Sequence, residues 1–394
     1  MMLDQRNINT NIDKFVYDLF DYAIYHNASD IHVEGEEHYA RIRLRIDGKL
    51  NEILRINKSN YEKLISKIKL LSKMDISEHR RPQDEGLKLP GFENVDFRIS
   101  TIGTINGEKL VVRILSNVEY EQKANLLGFS NHSKEVLNQA MKNKSGMIIF
   151  SGPTGSGKST SLYSLLNKLN SDTDNIITVE DPVEYNIDGV NQININEKID
   201  LTFAKALRSI LRQDPDIIMV GEIRDYETAQ IAIRAAITGH LVLTTLHTNN
   251  ALSSIIRLKD LGVENYLLSS AINAVASQRL VRKLCSCKIE DKMTDSEYQI
   301  ARKYLDIDRD TRIYRSNGCP HCNEGYQGRE ACEEVFLIDD KFRDLIRAGN
   351  IDLVSLKKYA KENNFKTMLA NGFDKVLAGI TSFEEVINVM YDQM

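Results

Sequence analysis

"MIIFSGPTGSGKST", residues 147–160, decides how the chain is read. The apolar run Met147 to Phe150 has the composition of a buried strand. It leads into Gly152, Pro153, Thr154, Gly155, Ser156, Gly157, Lys158, Ser159 and Thr160. That run matches G-x-x-x-x-G-K-[ST]. Its glycines let backbone N–H groups curl around phosphate oxygens, Lys158 is spaced to reach the outer phosphates, and the Ser159 hydroxyl is placed for a magnesium ion. The next segment, "STSLYSLLNKL", reads as a helix whose positive N-terminal end faces the same anion. A chance glycine-rich turn would not come with a strand before it and a helix after it.

Working outward, three more segments read as strands of an α/β domain. "NIITVEDPVEY" (175–185) closes on Glu180, Asp181 and Glu184; "DIIMVGEIRD" (216–225) closes on Glu222 and Arg224; "HLVLTTLHT" (240–248) closes on His247. Each ends in chemically capable residues, as expected where a sheet presents its strand ends to a ligand. A nucleotide hydrolase commonly ends the second of these in Asp-Glu, and here Gly221 stands in the first place, so the handling of a metal is an open question. His240 and His247 flank one strand, and His247 is the better functional candidate because it shares an end with the acids. "DYETAQIAIRAAITGH" repeats apolar residues at helical spacing and reads as core packing. "LTFAKALRSILRQDPD" (201–216) reads as a second amphipathic helix carrying Arg208 and Arg212 on one face, either solvated or functional.

The N-terminal third reads differently. "YARIRLRIDGKL" (39–50) is a strand and turn with Tyr39, Arg41, Arg43 and Arg45 on one face and Ala40, Ile42, Leu44 and Ile46 on the other. "VDFRISTIGTINGEKLVVRIL" (95–115) gives a second strand pair. With helical patterns in "DKFVYDLFDYAIYHN" and "NYEKLISKIKLLSKM", this is an α+β domain over 1–115 whose sheet has one cationic face, either solvated or phosphate-facing. Residues 116–127 read as a linker, and 128–394 as the phosphate-loop domain with a helical C-terminal tail.

All five cysteines lie beyond residue 284. "RKLCSCK" and "GCPHCNEGYQGR" supply Cys285, Cys287, Cys319 and Cys322, a C-x-C followed by a C-x2-C inside a cysteine-rich stretch of about 280–335. Four thiolates suit a structural Zn2+, with reduced thiols as the alternative and His321 as a substitute ligand. Charged residues make up 27% of the chain and the net charge is −5, so there is no global basic field for nucleic acid. No secretion signal and no membrane-spanning run is evident, which predicts a cytoplasmic protein that meets a membrane through partners.

"GPTGSGKST", "ITVEDPVEY", "LRQDPDIIMVGEIRDYETAQIAIRAAITGHLVLTTLHT" and "QRLVRKLC", together with "ASDIHVE", "RIDG", "RRPQDEG" and "DFRIST" upstream, resemble the type II secretion and type IV pilus assembly ATPase family. The resemblance implies a RecA-like phosphate-loop ATPase core preceded by a smaller α+β, PAS-like domain and carrying a small Cys-rich insertion. It implies ATP with Mg2+, held by Ser159 and Glu222, with Glu222 acting on the attacking water and Glu180, Asp181 and Glu184 as further carboxylates beside the metal. His247 belongs to a segment that senses nucleotide state, and Arg98, Arg113, Arg208, Arg212, Arg224 and Arg329 match arginines that approach the phosphates. Cys332 falls at an apolar position and is expected in the core. The family further implies a homo-hexamer that extends a pilus or pseudopilus through an inner-membrane platform protein, with pilin or pseudopilin subunits as indirect partners and the membrane's inner face as its station. A retraction motor, a DNA-translocating ATPase and a non-hydrolysing scaffold are the competing readings. No nucleic-acid partner is expected, because no basic, aromatic-lined tract is present.

Overall fold

A computed structural model describes residues 7–116, 128–349, 351–363 and 365–391. They form two compact units, taken here one at a time. The expected linker, 116–127, lies outside the described residues apart from Ser116.

The first unit is a six-stranded antiparallel sheet of β1 (Ala28–Gly35), β2 (Ala40–Ile46), β3 (Lys49–Ile56), β4 (Gln83–Leu87), β5 (Val95–Thr104) and β6 (Gly107–Ser116), in the order β3-β2-β1-β6-β5-β4. Strict alternation makes one face apolar, and the helices Ile12–Tyr25 and Lys58–Leu71 cover it. Phe15, Leu19 and Phe20 meet Ile31, Val33, Ile42, Leu44, Leu110 and Val112 there, all buried. The turn between β2 and β3 needs positive φ at both central residues, and Asp47 (49°) with Gly48 (86°) supplies it.

The second unit is built on a seven-stranded sheet of β7 (Gly146–Ser151), β8 (Ile176–Glu180), β9 (Asn191–Asn194), β10 (Ile217–Val220), β11 (Leu241–Leu246), β12 (Ile272–Leu284) and β15 (Tyr326–Leu337). Its order is β15-β12-β7-β11-β10-β8-β9, and only β15 runs antiparallel to its neighbour. β7, β8, β10 and β11 are buried along their whole length, which is why they read as continuous apolar runs rather than alternating ones. The hairpin of β13 (Ile289–Lys292) and β14 (Arg312–Arg315) sits between β12 and β15 in sequence. The tail is helical as expected, and Met368–Leu377 and Phe383–Met390 pack around Val281, Ile313 and Cys332.

Two expectations change. The helix read over 201–216 spans only Phe203–Ile210. Asp214 adopts a left-handed φ of 51° ahead of Pro215, and a residue before proline is disfavoured in the helical region. The arginine face of the first unit is also not a free cationic field. Register places Asp30 opposite Arg45 and Arg113, His32 opposite Arg43, and Glu34 opposite Arg41. Glu34 accepts from Arg41 Nε at 3.2 Å, from Arg43 Nε at 2.7 Å and Nη2 at 2.9 Å, and it pairs with Lys109 at 2.9 Å. The two β1 carboxylates, Asp30 and Glu34, therefore pair with the arginines of β2 and offset part of that face's positive charge.

Burial alone would raise the Glu34 carboxyl, but hydrogen bonds from Arg43 and Lys109 outweigh it and hold the group at about 2 against an ordinary 4.5. A depressed carboxylate adds stability that is complete above its ordinary value and is lost as pH falls through the folded one. Glu34→Gln should therefore unfold at lower denaturant concentration than the parent at pH 7, and the gap should close between about pH 4.5 and about 2. Denaturant melts across that range check it. A gap independent of pH would mean that the ion pairs contribute only shape.

Candidate active site

Parallel register sets the site. Val220 pairs level with Thr244 and with Val179, and Leu246 pairs level with Ser151. The residues that follow these four strands, Gly152, Asp181, Glu222 and His247, therefore leave the sheet at one edge. Side chain and backbone tie the edge together: Gly221 N–H donates to Val179 O at 2.8 Å, Ile223 N–H to Thr245 O at 3.1 Å, and Thr245 Oγ1 to Gly221 O at 2.7 Å. A Cβ at Gly221 would lie 3.2 Å from Val179 O and 3.4 Å from Glu180 Cα. A side chain there would need the neighbouring backbone to give way by a few tenths of an ångström.

The phosphate loop follows β7. Gly152 has φ 140°, and a Cβ there would fall 2.5 Å from Gln278 O, so only glycine fits. Gln278, on β12, braces the loop: its Nε2 donates to Ser156 O at 2.7 Å and its Oε1 accepts from Ser161 Oγ at 2.8 Å. The helix Lys158–Leu169 starts at Gly157 with no side-chain cap, which leaves its first N–H groups for an anion. Lys158 Nζ is buried and donates to Gly152 O at 2.8 Å and Pro153 O at 3.0 Å. Burial lowers its pKa, and the charge of Glu222 partly restores it. Ser156 Oγ is buried with no hydrogen-bond partner. An ammonium satisfied only by its own loop's carbonyls, an orphaned hydroxyl and an uncapped helix end all fit a polyphosphate. Ser159 and Thr160 are half-buried beside them, and Pro153, Thr154 and Gly155 are exposed.

The acids divide into two kinds. Glu222 is bound through one oxygen by Arg224 and through the other by His247 Nε2 at 3.1 Å, while Arg224 also lies 3.6 Å from Asp181. Burial pushes the Glu222 carboxyl up, but Arg224 and then His247 outweigh it and hold it below the ordinary range. Glu180 is different. It is buried, its two oxygens accept from Tyr163 OH, Thr178 Oγ1 (2.6 Å) and Gln192 Nε2 (3.2 Å), and burial raises its pKa. Glu184 sits in the same turn, and its backbone N–H donates to the Tyr163 hydroxyl at 3.2 Å.

The model of the type II/IV secretion system protein family matches residues 5–388. The chain belongs to that family. It is 45% identical over 374 residues to the type II secretion system protein E of Dickeya dadantii, covering 94% of this chain and 74% of that protein. It is 44% identical over 383 residues to the type II secretion system ATPase E of Vibrio cholerae, covering 96% and 75%. Among solved structures it resembles the pilus retraction motor PilT with bound ADP, at 27% identity and a TM-score of 0.64, over 95% of this chain and 96% of that one. The chain is thus a secretion-family ATPase with an α/β, RecA-like core, a smaller α+β unit before it and a small cysteine-rich insertion.

Not every residue singled out in the second unit of this secretion-family ATPase reaches the strand edge. His240 lies at the opposite end of β11, where its Nδ1 meets Ala235 O at 3.0 Å. Arg208 pairs with Glu227, and Arg212 donates to Arg208 O at 2.8 Å, beyond the end of its helix. Arg98 and Arg113 belong to the first unit, where they are cross-strand neighbours and Arg113 Nε bonds Asp30 at 3.1 Å. Tyr163 and Gln278 went unnoticed in the sequence. The fully buried tyrosine carries a hydroxyl that needs a partner, but its burial is not visible along the chain.

The sulfurs of Cys285, Cys287, Cys319 and Cys322 all lie within 4.8 Å of one another. Sγ separations of 3.9 Å (Cys285–Cys319), 3.8 Å (Cys287–Cys322) and 3.5 Å (Cys319–Cys322) fit the roughly 3.8 Å edge of a tetrahedron with bonds of about 2.3 Å. His321 is exposed and outside this group. Cys332 is fully buried in β15, as expected for core packing, and burial pushes its thiol up to about 12.

Proposed function

We propose that this ATPase powers extension of a type IV pilus, competence pilus or type II secretion pseudopilus, working as a homo-hexamer on an inner-membrane platform protein. The observation that carries the reading is the meeting of the phosphate loop with the Glu222–Arg224–Asp181–His247 group at one strand edge. Identity of 45% to a type II secretion protein E, against 27% to a retraction motor, favours extension over retraction. Station at the inner face of the membrane, through partners, accords with the absence among the described residues of any helix long and apolar enough to cross one.

In the proposed cycle Lys158 exchanges its two loop carbonyls for phosphate oxygens, and the first N–H groups of its helix complete the cradle. Ser159 and Glu222 would hold Mg2+, which neutralises charge on the phosphates. Glu222, kept ionised by Arg224 and His247, orients the water, and Asp181 and Glu184 add carboxylates at its side. Arg98 and Arg113 stabilise the charge spread over the transferring group. The four-cysteine insertion would hold a structural Zn2+, its thiolates tying Cys285 and Cys287 to Cys319 and Cys322.

One series tests the catalytic reading. Lys158→Ala should weaken ATP binding; Glu222→Gln should bind ATP yet lose turnover by about a hundredfold or more; Arg113→Ala should lower kcat more than affinity. Near-parental hydrolysis by Glu222→Gln would remove it from its role. Elemental analysis of protein purified without a metal-binding tag should find about one zinc per chain. A value near zero would leave the thiols reduced and free.

A further inference from the structure

We infer that Tyr163 is a positioning residue of the proposed ATPase site, and that Glu180 is the anchor of the acidic turn rather than one of its reacting acids. The inference rests on the function proposed above. Tyr163 lies on the helix that begins at Lys158, fully buried, with its ring edge-on to Tyr185 at 4.4 Å between centroids. Its hydroxyl donates to Glu180 and accepts from the backbone N–H of Glu184 at 3.2 Å. One phenol thus clamps both ends of the turn 180–184. The other Glu180 oxygen takes Thr178 from its own strand and Gln192 from β9. Among the described residues every hydrogen-bond partner of the Glu180 carboxylate is a neutral donor, and the residue is 5% exposed. A carboxylate saturated in this way holds structure in place. Asp181 is exposed and lies 3.6 Å from Arg224, so this acid, unlike Glu180, faces the cluster.

Lys158 and Tyr163 share a helix, so any shift of the phosphate loop reaches the acidic turn through the phenol. A displacement of about 1 Å in a reacting group can cost about a hundredfold in rate. Tyr163→Phe keeps the ring and removes only the clamp. It should lower kcat about tenfold while leaving KM for ATP within about twofold, because substrate binding does not need the turn in register. Glu180→Gln loosens the same clamp, so adding Tyr163→Phe to it should cost little more.

The experiment is steady-state ATP hydrolysis by the full chain for both single variants, the double variant and Glu222→Gln, with thermal melting of each. Should Tyr163→Phe fail to fold, Gln192→Ala releases the same carboxylate from its other side and carries the same expectation for kcat and KM. Parental kcat in Tyr163→Phe, or losses that multiply in the double variant, would overturn the inference. Persistent turnover in Glu222→Gln would instead remove Glu222 from its proposed role, and absence of ATP hydrolysis by the parent would overturn the functional reading, whatever Tyr163 does.

Discussion

β7, β11, β10 and β8 are hydrogen-bonded side by side in parallel, with Leu246 level with Ser151 and Val220 level with Thr244 and Val179. A parallel ladder permits this only when both faces are covered, and the wholly buried strands meet that demand. Once the register is set, the phosphate loop, Asp181, Glu222 and His247 must emerge together. A slip of one residue in β10 would reverse its side chains and carry Glu222 away from His247 and Arg224. Hydrophobic burial in the sheet is therefore what places the polar chemistry.

The same side-chain types do opposite work in the two units. On the first sheet, Arg41 and Arg43 converge on Glu34, whose carboxylate offsets part of their charge. At the strand edge, Arg224 lies between two acids, Glu222 and Asp181, and His247 takes the second oxygen of Glu222. Partial exposure of Arg224, Asp181 and His247 leaves that group able to exchange partners, which the buried Glu34 cannot do at comparable cost. Gln278 belongs with the second group by position and with the first by character: it is buried, hydrogen-bonded at both its amide nitrogen and its amide oxygen, and braces the loop from β12.

Local pattern made much of this legible. The loop 152–160, the apolar strands around it, the Asp47-Gly48 turn and the two close cysteine pairs all depend on neighbours in sequence. The pairing of the arginine face is not legible along the chain, because its acids sit on β1 and only strand pairing brings Glu34 to Arg41 and Arg43. The helix carrying Arg208 was read too long because its periodicity continues past Ile210, where the backbone turns at Asp214. Tyr163 carries no signal of its own along the chain, because the partners of its hydroxyl are 17 and 21 residues away.

Lys158 spends its charge on two carbonyls of its own loop, and Ser156 has a buried hydroxyl with no partner. Both make sense if the loop exists to hold the outer phosphates of a nucleotide. Thermal unfolding with ATP and Mg2+, compared with AMP at the same concentration, tests this directly. At a hundredfold excess over Kd, ATP should stabilise the fold by about 2.7 kcal/mol and raise Tm, while AMP should leave Tm where it is. Equal stabilisation by AMP would contradict a site built around the β- and γ-phosphates.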